Sequence, residues 1–395
     1  MKSKASLVAI LLLTLPAFSA VAQIHISGSL HSSLYAWENA AQNQQWDYYQ
    51  GLRLRVTPEK HANFYVQTNL RVARRGDPSD WEERVYNTYL NWRSTNRRLE
   101  FRLGRQFVYY GVINGTVDAL QVAARPGKNL NLKFIAGTDA PLDRKFEIQD
   151  WDSGNVFGGY LSYRISGDAK LDVSYFQRSR RDDIVWQQLG TALTGKIKPN
   201  LYYQGQFDYN LGTSELQGLR SRLTYYRDKW SFSGEFNSQK PRVYEDSYFN
   251  IFELEAFNQF RCGITYDAGN YQLGLQNLYT SYEEDNSDEV ILTAGTRWGT
   301  VGLVYQNGFA GDNTGLYGEI RYDIVRDLTV KIRSSHYSYE RRSVQLSEDA
   351  TSFSGGLQYR PTRPLLLQAE IQESINSFYD NDVRGLFKVN YSFNQ

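Results

Sequence analysis

The chain has 395 residues and is rich in aromatics, with 30 Tyr, 20 Phe and 8 Trp, yet its mean hydropathy is negative. Its 44 basic and 43 acidic side chains nearly cancel, and the net charge of +1 becomes −1 without Lys2 and Lys4, which excludes a generic nucleic-acid binder. A single cysteine, Cys262, excludes an intramolecular disulfide, and no apolar run reaches the roughly 18 residues a membrane helix needs.

The first element is a leader. Lys2 and Lys4 precede an apolar run from Leu7 to Leu15, then Pro16 and the small-residue end Ala20-Val21-Ala22. This is the layout of a secretory signal cleaved after Ala22, so residues 1–22 are expected to be a signal peptide and residues 23–395 the folded domain. No lipobox cysteine follows, which argues against a lipoprotein.

From Ile24 onward the apolar residues alternate with polar ones. In Gly51–Val56 the set Leu52, Leu54, Val56 opposes Arg53 and Arg55. Leu99, Phe101 and Leu103 oppose Glu100 and Arg102, and the pattern recurs in Asn129–Phe134, Leu328–Arg333 and Leu386–Phe393. A period of two is the strand signal. Tight turn signals such as Thr57–Lys60, Arg93–Asn96, Pro126–Asn129 and Arg227–Lys229 alternate with longer polar connections. The longer ones include Gln106–Gly115, Thr138–Gly154, Ser179–Asp183 and Gln239–Asn250. Short turns on one side and long loops on the other are the rhythm of an outer-membrane barrel. Counting strands between connections predicts about 22, within a range of about 18 to 22, and an even number returns both ends to the periplasm.

The expected fold is therefore all-β: a transmembrane antiparallel up-and-down β-barrel in a bacterial outer membrane, with no plug domain because the first strand follows the leader directly. No fixed-period repeat is visible, which disfavours a solenoid or propeller. Because lipid tolerates no open sheet edge, the first strand, Ile24–Trp37, must pair with the last, Val383–Phe393.

A charge in the bilayer centre costs about 2–4 kcal/mol, so the charged phase of each strand must face an enclosed aqueous lumen. The candidate lumen-lining residues are Arg53, Arg55, Glu100, Arg102, Arg105, Lys133, Arg220, Arg222, Glu253, Glu255, Arg261, Glu319, Arg321, Lys331, Arg333, Glu370 and Lys388. Cross-strand ion pairs stiffening the wall are one reading of this set. A positive lumen favouring anionic solutes is the other, because basic residues outnumber acidic ones. Arg105 and Gln106 end their strand before the connection to Gly115, and serve either a constriction or the packing around Gly104.

The segment Arg98–Gln106, with its Leu103-Gly104-Arg105-Gln106, and the following Gly115–Leu120 with Asp118 resemble a strand pair of outer-membrane porins, including the alginate-export and phosphate-selective types. The resemblance covers roughly thirty residues, the rest matching by strand rhythm alone. It implies a diffusion channel or exporter. The usual terminal aromatic is displaced here to Phe393, before Asn394 and Gln395, which preserves its facing because the period is two.

Chemistry is sparse. His25, His31, His61 and His336 fit no metal-ligand spacing, and only His336, with Ser334, Ser335 and Asp349 near it in sequence, offers even a weak catalytic grouping. The carboxylates of Glu283–Glu289 offer oxygen ligands for Ca²⁺ but lack a calcium-loop spacing and read better as a solvated loop bridged to lipopolysaccharide. The chain is expected to be no enzyme and to need no cofactor. Its expected function is passive passage of small polar, anionic solutes. The alternative is a barrel that exports an acidic polysaccharide or sleeves a periplasmic partner protein.

Overall fold

The computed structural model describes residues 24–39, 43–76, 81–244, 255–309, 311–341, 346–377 and 379–394. The expected signal peptide, and Glu253 among the candidate lumen residues, lie outside the described residues. In chain order the strands are β1 Ile24–Glu38, β2 Gln44–Pro58, β3 Phe64–Arg74, β4 Trp81–Arg93, β5 Leu99–Tyr110, β6 Ile113–Ala124, β7 Leu130–Asp139 and β8 Asn155–Arg164. They continue with β9 Ala169–Arg180, β10 Asp183–Lys198, β11 Leu201–Asn210, β12 Glu215–Arg227, β13 Trp230–Gln239, β14 Phe257–Asp267 and β15 Tyr271–Ser281. The last seven are β16 Asn286–Thr296, β17 Gly299–Gly308, β18 Asn313–Val325, β19 Leu328–Arg341, β20 Leu346–Thr362, β21 Leu365–Asn376 and β22 Tyr379–Asn394.

Each strand pairs antiparallel with the next, and β1 pairs with β22 from Ser27–Asn394 to Ala36–Gly385, so the 22-stranded sheet closes. Closure follows from the solvent: lipid offers no partner for an edge N–H or C=O, and only a ring satisfies all of them. Register then carries the alternation around the ring. Leu275, Leu292, Leu303 and Leu316 are successive cross-strand partners, a continuous apolar row on the outer face. The inner face carries rows such as Arg222–Glu235–Arg261 and the adjacent pairs Glu319–Arg333 and Arg321–Lys331. Strands ~4.8 Å apart and tilted ~40° give a round ring of this size a backbone diameter of roughly 40 Å.

Several connections are tighter than their composition suggested. Ser179–Asp183 is mostly strand, with only Arg181 and Asp182 between β9 and β10, at φ +49° and +69°. Two consecutive positive φ values make the two-residue turn whose twist suits a hairpin, and Asp tolerates that conformation better than most residues. The stretch Gln106–Gly115 is likewise not a loop: β5 and β6 run through it and turn on Gly111-Val112.

Candidate functional site

The β5–β6 hairpin leaves the wall. Its lower half is ordinary: β4 and β5 are in register from Arg93–Glu100 up to Thr88–Arg105. There the pairing ends, although β4 continues against β3 to Arg74–Trp81 and β5 continues against β6 to Tyr110–Ile113. Two irregularities mark the divergence. Gly104 has φ +122°, and a Cβ there would collide with the Thr88 carbonyl oxygen. Tyr86 is skipped in the β3–β4 register, a bulge that bends β4.

Above this point the hairpin leans into the lumen and lies on the inner wall. Val108, Val112, Ile113 and Val117 pack against Ile135, Val156, Phe176 and Trp186 as one buried cluster. That this wall face is the inner one follows from alternation: Phe134 and Phe157, each adjacent in sequence to a cluster member, are exposed on the lipid side. The Val112 N–H donates to Ser174 Oγ at 3.0 Å, pinning the tip to β9. Gly190 makes the approach possible, because a Cβ there would strike the Val112 side chain. Full burial of a Val or Ile side chain contributes about 1.5–3 kcal/mol, so four such contacts hold the tip firmly. Lys133 Nζ lies 3.3 Å from the Tyr110 ring centre, and Tyr110 meets Tyr160 at 5.7 Å. Phe107 and Tyr109, on the hairpin's other face, turn away from the wall and are exposed.

The gap left in the wall is covered by residues 140–148. The Val85 N–H donates to Arg144 O at 2.7 Å, and Ala140 N–H donates to Thr116 O at 3.1 Å. Arg105 sits between hairpin and loop, 5% exposed, with both carboxylate oxygens of Asp118 at 2.8 Å. Its guanidinium also donates to the carbonyls of Lys145 and Glu147. Four of its five N–H donors are thus used inside the protein, close to what a buried guanidinium requires. Arg105 is therefore a brace behind the hairpin and no exposed lumen residue, a correction to the expected role. It shares the phase of exposed Leu103 and Phe107, but at Arg105 the loop covers that face. Within the Thr138–Gly154 connection Trp151 packs on lipid-facing Phe157 at 5.7 Å, so this loop patches the outside of the wall.

A second segment enters from the end of β13. Tyr244 meets Trp186 edge-on at 5.5 Å and lies under the Arg178 guanidinium at 4.6 Å. Arg242 Nη2 is 3.4 Å from Asp208 Oδ2, and Gln217 Nε2 donates to Lys240 O at 2.6 Å. The inner wall from β7 to β12 is thus lined by added chain.

The remaining candidate residues fall into two groups. Glu100 is paired with Arg93 at 3.0 Å and Arg102 at 3.3 Å, Glu235 with Arg220 at 2.8 Å and Arg222 at 3.9 Å, and Arg333 with Glu319 at 2.6 Å and Glu370 at 4.0 Å. By contrast, among the described residues Arg53, Arg55, Arg261, Arg321, Lys331 and Lys388 share the inward phase without a carboxylate in ion-pair range. Arg55 instead stacks 3.7 Å above Tyr65, and Arg102 lies 4.7 Å from Tyr89. Glu255 is in the connection before β14, off the strand ladder. His336, on the outer phase with Leu316, has its Nδ1 2.8 Å from Thr351 Oγ1, and Asp349 pairs with Ser338 instead. Asp288, in the acidic stretch, accepts from Asn277 at 2.6 Å, and no group of three potential metal ligands forms among the described residues.

The buried hairpin was missed by sequence reasoning although a signal existed. Val108, Tyr110, Val112 and Ile113 are too apolar for a solvated loop, and a hairpin tip that apolar needs something to cover it.

No family model matches this sequence, and no curated protein does. Among solved structures, the translocation pore of the P pilus usher PapC aligns with a TM-score of 0.50 at 7% identity, over 93% of this chain and 99% of that one. Pseudomonas aeruginosa OccK3 (OpdO) aligns at 0.45 and 13% over 94% and 96%, and the outer membrane protein OpdK of the same organism at 0.42 and 12% over 94% and 99%. Such identities speak to fold alone. With its closed ring, apolar outer belt and charged interior, the chain is an outer-membrane β-barrel.

Proposed function

We propose that this barrel is a non-enzymatic, porin-like channel for passive passage of small polar solutes, with a preference for anions. The observation that carries the reading is the β5–β6 hairpin held inside the ring by a buried apolar cluster. Stacked sheets stand ~10 Å apart, so one added layer narrows a ring of roughly 40 Å without filling it. A partly narrowed lumen is the architecture of a size-selective pore. The wide-open lumen implied by strand count alone is replaced by a constricted one.

The anion preference is supported by six inward cations without ion-pair partners, while Glu100, Glu235 and Glu319 are each neutralised by arginine. Fields in a wide lumen are screened beyond ~8 Å at physiological ionic strength, so the preference is modest and greatest near the hairpin, where the bore is least. Purified protein in a planar bilayer is expected to conduct, with a zero-current potential in a salt gradient of the sign set by anions. Silence, or a cation-selective potential, overturns the reading. The second reading, a barrel exporting an acidic polysaccharide or sleeving a periplasmic partner, draws on ring width. It predicts a silent bilayer and a periplasmic protein recovered with the barrel.

A further inference from the structure

We infer that the wall between β4 and β5 is a lateral doorway, through which a single-chain anionic amphiphile passes between the lumen and the outer half of the membrane. The β4–β5 ladder holds only from Arg93–Glu100 to Thr88–Arg105, starting beside the turn at residues 94–98. At ~3.3 Å per residue and a tilt of ~40°, that ladder rises roughly 15 Å, about half the hydrocarbon thickness. Above it both strands continue, each paired only on its far side. Lipid does not tolerate two facing strand edges left open, so a break at this depth must be covered or used.

The cover is a loop, and it is stitched sparingly. Along the open edge of β4 the Arg144 carbonyl takes the Val85 N–H, and the Asn87 carbonyl is capped by the Thr88 hydroxyl at 2.8 Å. Further hold comes from the Arg105 guanidinium on the carbonyls of Lys145 and Glu147 and from the Ala140 N–H on the Thr116 carbonyl. The side chains beside the break divide by chemistry. Arg71, on the inward phase, and Arg144 of the covering loop both reach the Tyr86 ring, at 5.4 and 4.9 Å, two cations converging on the break where one anionic head group would sit. The loop itself presents Leu142, Phe146 and Ile148, all more than three-quarters exposed, continuing the apolar surface on which Trp151 meets Phe157. Cations within and exposed aliphatic and aromatic groups without are complementary to a carboxylate-headed acyl chain lying across the wall. The inference stands apart from the axial-channel reading, since it concerns a different exit.

The test uses the full chain in proteoliposomes, in a Cys262→Ser background, with Val85→Cys and Lys145→Cys introduced to lock the loop onto β4 when oxidised, leaving Arg144 in place. The probe is a fluorescent long-chain carboxylate. Oxidation is expected to abolish protein-dependent transfer into the bilayer, and reduction to restore it, with ion conductance the same in both states. Transfer that ignores the lock, or that equals protein-free vesicles while conductance persists, overturns the doorway and leaves the channel standing. Lock-dependent transfer in a barrel that never conducts supports the doorway and removes the channel. Arg144→Glu, which keeps the backbone stitch without new thiols, is expected to slow the carboxylate and spare a long-chain amine. Equal slowing of both overturns the proposed head-group recognition.

Discussion

The two halves of this ring solve the same problem differently. From β13 to β22 the wall is a plain ladder with lipid on one face and enclosed water on the other, and its large apolar side chains are exposed, as with Ile320 at 57%. From β7 to β12 the inner wall is covered by added chain, and the cluster of buried apolar side chains around Val112 sits there. A barrel wall needs no protein core, because the backbone ladder and the lipid supply its stability. The cluster around Val112 is different in kind, because it joins wall strands to a hairpin that has left the wall.

The largest expected effect tests whether the covered half sets the bore. Replacing the tip, residues 108–115, by a two-residue turn between Phe107 and Thr116 should raise single-channel conductance about twofold, since a layer ~10 Å off the wall is removed. An unchanged conductance would place the constriction elsewhere. Next is the brace. Asp118→Asn leaves the buried Arg105 cation without its counter-charge, and breaking such a pair costs about 3–5 kcal/mol. The expected outcome is a noisier channel and a lowered unfolding midpoint, and a variant as quiet and as stable as the parent would show that the brace is dispensable.

A matched pair sharpens the contrast directly. Ile113, 1% exposed in the hairpin core, should lose about 2–5 kcal/mol on truncation to Ala. Ile320→Ala on the lipid face of β18 should stay within about 1 kcal/mol, because acyl chains fill the space it vacates. Equal losses in a denaturant titration would mean that the hairpin adds no core. The smallest effect is expected at Arg333→Ala. Its pairing with Glu319 is close to half exposed, and such pairs contribute about 0.2–1 kcal/mol. A change above that range would mark the plain wall as more than a scaffold.

The sequence by itself determined the barrel. Alternation at Leu52–Val56, Leu99–Leu103 and Phe387–Phe393 selects strands, and lipid forbids an open edge, so closure of Ile24–Glu38 on Tyr379–Asn394 follows from residue type and solvent. The expectation that Arg53, Arg102 and Lys331 face inward rests on the same rule, since each is decided by its own strand. What only the tertiary structure decided is where that rule is broken. Arg105 and Asp118 keep the strand period but face a covering loop, and Val108–Ile113 resembles a connection until β7–β10 provide a surface to receive it. Period-two patterning reports on one strand and its two faces, whereas a hairpin folded on a distant wall depends on contacts such as Val112 to Ser174, 62 residues apart, which no local pattern encodes.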